Sequence, residues 1–111
     1  MSLDPEELYT NLRARGDKWA DADAAYQAFD DVTKTVLAEC EIEARKDETT
    51  TTQAAIERAG RVAQKYCEHL TALGDARKKA NRARVSFDTY KAYIELLRTK
   101  SANERAEANL R

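Results

Sequence analysis

Proline is absent after position 5, and glycine occurs three times in 111 residues. Nothing beyond Pro5 therefore forbids helix over long distances. Strand chemistry is equally thin, because Val, Ile and Thr stand mostly singly among Ala, Glu, Lys and Arg, where helix propensity prevails. Aromatics make up 7% of the chain, and much of the 42% hydrophobic fraction is alanine, which buries little area. A globular core is hard to build from one copy of such a chain. Each helix offers a thin apolar stripe, suited to coiled-coil pairing.

No stretch nears the roughly 20 apolar residues that cross a bilayer, and no charged-then-apolar leader opens the sequence. The expected location is the cytoplasm. Two cysteines, Cys40 and Cys67, make no disulfide framework and are expected as buried free thiols acting as small hydrophobes. The catalytic inventory is as sparse. There is one His, one Met, no glycine-rich phosphate loop, no Cys-x-x-Cys, no His-Glu-x-x-His and no serine in a nucleophile-elbow setting. His69 and Cys67 stand two apart, on different faces of a helix, and cannot chelate one metal together. The expectation is a chain that is not an enzyme and that holds no metal or cofactor.

What the chain has in plenty is charge, 35% of all residues. The net value of −1 hides an asymmetry: residues 1–50 carry 13 acidic and 6 basic side chains, a balance of −7, and residues 51–111 carry 7 acidic and 13 basic, a balance of +6. Antiparallel folding of one half on the other would neutralise part of this. A basic surface for an anionic partner is the competing explanation.

The order of signals predicts a single helical domain over 1–111. Asp4-Pro5-Glu6-Glu7 is a helix start, with an Asp cap, Pro at the first helical position and carboxylates near the positive dipole end. A short helix over 5–15 is expected, ending near Gly16-Asp17. An acidic helix over 18–47 follows, with Trp19, Ala22, Tyr26, Phe29, Thr33, Val36 and Cys40 at spacings of three and four. Consecutive threonines disfavour helix, so 48–52 is the turn, capped by Thr51 or Thr52.

A long basic helix is then expected over 53–108, with Gly60 and Gly74 as weak points and a possible break near 74. One heptad position reads Ala59, Tyr66, Leu73, Ala80, Phe87, Ile94 and Ser101; the position three later reads Val62, His69, Ala76, Ala83, Tyr90, Leu97 and Glu104. The fold class this implies is all-α, a long antiparallel helical hairpin, coiled-coil-like, with a short N-terminal helix. Its long arm would overhang its partner and leave Phe87, Tyr90, Tyr93, Ile94 and Leu97 to helix one or to a second subunit. These five are the expected oligomer interface, of a homodimer or a higher homo-oligomer.

Two single residues call for a reading. His69 on the seam is expected to be structural, with a satisfied ring nitrogen. Trp19 is expected as a core anchor, because heptad spacing joins it to Tyr26 and Phe29. The cluster that points to function is Arg77, Lys78, Lys79, Arg82 and Arg84, five cations in eight residues, with Lys91, Arg98 and Lys100 beyond and tyrosines at 90 and 93. Lys and Arg neutralise phosphates and aromatic rings stack on unpaired bases, so the segment is the expected nucleic-acid-binding element. A solvated helix face, or pairing with the acidic helix, is the plainer reading.

The segment Phe87-Asp88-Thr89-Tyr90-Lys91-Ala92-Tyr93-Ile94-Glu95-Leu96-Leu97-Arg98-Thr99, followed by Ser101-Ala102-Asn103-Glu104-Arg105-Ala106-Glu107, resembles the ending of small helical proteins of tailed bacteriophages and prophages. Those chains likewise place a polar turn after an acidic helix, so the resemblance spans roughly residues 18–110. It implies a factor of the recombination or single-strand-binding accessory type, or an anti-CRISPR inhibitor, working in host cytoplasm. The resulting expectation is a binding protein whose partner is nucleic acid or a nucleic-acid-handling protein. The alternatives are an inhibitor of a host nuclease complex acting through Asp21, Asp23, Asp30, Asp31, Glu39, Glu41 and Glu43, and a structural coiled-coil subunit with neither face specialised.

Overall fold

The computed structural model describes residues 4–110, and every regular element among them is helical. The elements are α1 (Pro5–Asp31), α2 (Thr33–Arg45), α3 (Gln53–Val62) and α4 (Gln64–Leu110). They form two compact units. A central unit comprises residues 22–79, and a terminal unit joins residues 4–21 to 80–110. Both units are all-α and pair their helices antiparallel along coiled-coil-like seams.

In the terminal unit, Asp4 caps α1: its side chain accepts from the Glu6 amide at 3.1 Å, and its carbonyl accepts from the Leu8 amide at 3.1 Å. The expected stop at Gly16 does not occur, because α1 runs through it. Leu8, Leu12, Trp19 and Ala22 share one heptad register, and a break at Gly16 would have split it. Gly16 serves packing instead, since a Cβ there would lie 3.3 Å from the Phe87 ring. The seam opposite is Ala80, Ala83, Phe87, Tyr90, Ile94 and Leu97, with both alanines about 95% buried. Trp19 packs on Phe87 with ring centroids 5.5 Å apart, as the anchor its spacing predicts.

In the central unit the expected 18–47 helix divides at Val32, whose φ of −96° and ψ of 1° interrupt it for one residue before α2 begins. Asp30 and Asp31 close α1, where the helix dipole disfavours carboxylates, and they stand just ahead of α2, where it favours them. The Phe29 carbonyl at this junction accepts from the Thr33 hydroxyl at 3.0 Å. A side chain entering the backbone ladder is a recognised cause of kinks.

Residues 46–52 reverse the chain. Asp47 accepts from the Thr49 amide at 3.0 Å and the Thr49 hydroxyl at 2.9 Å, and the amide bond, then the hydroxyl bond, hold its carboxyl below the ordinary carboxylate value. Thr52 caps α3 by accepting from the Ala55 amide at 3.1 Å. The expected 53–108 helix then breaks at Ala63, whose ψ of 137° is extended, three residues after Gly60. Gly74 interrupts nothing, and α4 passes through it. The break shifts the seam's phase: Val62, expected inside, is 74% exposed, and Ile56 and Gly60 are buried in its place.

Candidate functional site

The expected nucleic-acid-binding cations all lie on α4 and all are exposed. Arg77, Lys78 and Lys79 belong to the central unit, Arg82 and Arg84 to the terminal one. In the central unit Arg77, Lys78 and Lys79 follow one another around α4, each about 100° on from the last, and in the terminal unit Arg82 and Arg84 stand two apart. Ala76, Ala80 and Ala83 hold the inward face. Small residues at the seam thus let this stretch pack while its remaining directions carry charge. In the central unit, Arg77 lies over the Tyr26 ring, 5.4 Å from its centroid.

None of the five cations makes an ion pair among the described residues. The ion pairs there are Lys65–Glu39, 2.6 Å and linking α4 to α2, and Lys46–Glu43, 3.1 Å and local. Glu39 raises the Lys65 ammonium above its ordinary pKa, by the hydrogen bond first and by charge second. Internal neutralisation of the basic segment, one of the plainer readings of the sequence, therefore does not take the form of discrete pairs. On the acidic side, Glu39 and Glu43 are occupied by these lysines, and Glu41 is half-buried against Gly60. The acidic surface is thinner than its sequence suggests.

Of the two coverings expected for the residues of the oligomer interface, helix one or a second subunit, helix one is present within the chain. Phe87, Tyr90, Ile94 and Leu97 are half-buried on the seam that faces α1, so the overhang that motivated an interface there does not exist. Its cause is the continuity of α1 through Gly16. Tyr93 lies at the seam's border, 37% exposed, its ring 6.0 Å from that of Tyr90. Arg15, which the sequence reading passed over, stacks 4.6 Å above the Tyr90 ring and donates to the Ser86 hydroxyl at 2.7 Å. One face of Tyr90 is therefore already taken by a guanidinium. Heptad counting could have found this, since position 15 fills the place between Leu12 and Trp19 at spacings of three and four.

His69 has the structural environment its seam position predicts. Its Nε2 lies 2.9 Å from the Thr33 hydroxyl and 3.0 Å from the Phe29 carbonyl. Because the Thr33 hydroxyl already donates to that carbonyl, the ring N–H is the donor to both oxygens. Cys40 is buried as expected, but Cys67 is exposed, because the seam runs through Tyr66 and His69 and position 67 lies off it. Among the described residues, no three His, Cys, Asp or Glu side chains gather where they could hold a metal ion. No helix of the described residues is long and apolar enough to cross a membrane. Comparison of the chain with protein families, with curated proteins and with solved structures found no match.

Proposed function

We propose that this chain is a non-catalytic binding protein that engages nucleic acid through the outward cations of α4. The observation that supports this most is the exposure of Arg77, Lys78, Lys79, Arg82 and Arg84 without an ion pair among the described residues. Unpaired cations keep their full attraction for phosphate, and that attraction supplies most sequence-independent nucleic-acid affinity. A factor of the kind tailed phages encode is the setting that the carboxyl-terminal resemblance suggests.

The test is binding of single- and double-stranded DNA, and of RNA, at about 50 mM salt, where weak electrostatic binding is still visible. Replacing the five cations by Gln is expected to weaken binding by at least about tenfold and to flatten its salt dependence. Binding that survives the five substitutions unchanged removes this reading. No binding by the wild-type chain favours a protein partner or a structural coiled-coil role.

An inhibitor that offers its acidic helix to a host nuclease complex is the second reading. The engagement of Glu39, Glu41 and Glu43 within the central unit counts against it. Neutralising Asp23, Asp30 and Asp31 separates the two, since inhibition would be lost with nucleic-acid binding intact.

A further inference from the structure

In the terminal unit α4 carries a second heptad stripe, on the side away from α1. Counting 3.6 residues per turn, Val85, Ala92, Leu96, Ala106 and Leu110 fall nearly opposite the Phe87–Ile94 seam. With Thr89, Thr99 and Asn103 between them, the spacing alternates four and three over the whole run. Val85 is 57%, Leu96 68% and Leu110 88% exposed. The preceding stripe positions are Lys78 and Arg82, so the apolar character begins at Val85. Apolar side chains in heptad register and left in water form a helix-binding face.

We infer that a second copy of this chain covers the stripe, with the two α4 helices parallel and in register. The charges on the stripe's edges choose this occupant and this direction. One edge carries Asp88 and Glu95; the other carries Lys100 and, one heptad on, Glu107. In a parallel pair the residue before each a position faces the residue after a d position five places along the second helix, which sets Glu95 against Lys100 of the other copy, twice by symmetry. An antiparallel pair could set Lys100 against Glu107, but it would turn the edge of Asp88 and Glu95 on itself, with no cation opposite either carboxylate. Glu95 and Lys100 are both exposed, neither makes an ion pair among the described residues, and five residues apart they cannot reach each other along one helix.

Asn103 points to the same pairing. It occupies an a position, where the two carboxamides of a parallel pair face each other, and an asparagine there specifies two strands in fixed register. The stripe lies on the helix side opposite to α1, so no contact within the terminal unit has to open. The inference does not rest on nucleic-acid binding, because it is tested on the protein alone.

The experiment is sedimentation of the full chain across micromolar concentrations, with helicity monitored in parallel. Wild type is expected to be dimeric, and Leu96→Asp to weaken the dimer by at least about 100-fold with helix content unchanged, because Leu96 is 68% exposed within the single chain. Glu95→Lys and Lys100→Glu are each expected to weaken it by about tenfold, and the double swap to restore it. For direction, Ala106→Cys and, separately, Ala92→Cys in a Cys67→Ser background are both expected to cross-link to themselves on oxidation. A parallel pair in register brings every such position to its own copy, and an antiparallel pair at most one of them. A monomeric wild type overturns the inference, as does a dimer that persists in Leu96→Asp. A double swap weaker than either single change, or a dimer in which either cysteine fails to cross-link, overturns the parallel arrangement.

Discussion

At the scale of the residue, the glycines show how little a side-chain type says without its neighbours. Gly60 and Gly74 are equal in sequence, each a weak point in a helix costing about 1 kcal/mol relative to Ala. Their surroundings differ. A Cβ on Gly60 would lie 2.7 Å from the Glu41 Cγ and 3.4 Å from the Glu41 backbone nitrogen, whereas one on Gly74 would meet nothing within 4 Å. Gly74→Ala is therefore expected to stabilise by about 1 kcal/mol and raise Tm by a few degrees. Gly60→Val should cost about 1–3 kcal/mol through overpacking of α2 on α3. Thermal denaturation of the two variants decides the matter, and equal shifts would show that the α2–α3 approach is not limiting.

At the scale of the element, the seams were legible and the breaks were not. Spacings of three and four run unbroken from Leu8 to Cys40 and again from Tyr66 to Ser101, and the buried faces follow them. The first run already carried the answer at Gly16, because a helix that ended there could not have kept Leu8 and Trp19 on one side. The basic segment was equally legible, being local in sequence. The pause at Val32 was legible only in part, since Asp30, Asp31 and Thr33 are local but the His69 ring that also reaches the Phe29 carbonyl stands 40 residues away. No local signal carries such a bond. Replacing His69 by Leu keeps the volume and removes the donor, and is expected to cost about 1 kcal/mol. Thr33→Val should cost a similar amount, and the double variant less than the sum, because both side chains serve one carbonyl. Strict additivity of the two in denaturant titrations would argue that the network does not hold the kink.

At the scale of the whole molecule, charge can be committed inward or kept for a partner. An acidic amino half of −7 and a basic carboxyl half of +6 invite the inward choice. The two ion pairs among the described residues are poor vehicles for it, each with both side chains more than half exposed. Pairs so open to water contribute little and are screened by salt. Raising NaCl from 50 to 500 mM should therefore move Tm by only a few degrees. Nucleic-acid affinity should behave oppositely. Five phosphates neutralised give a log-log slope of about −3.5 to −4.5, or a loss of about 130- to 500-fold between 50 and 200 mM salt. The comparison is diagnostic because a basic segment held by the acidic half would make Tm salt-sensitive, whereas one left free for phosphate makes affinity so. A Tm that collapsed with salt while affinity barely changed would mean that attraction between the halves already occupies the basic segment, leaving little of it for phosphate.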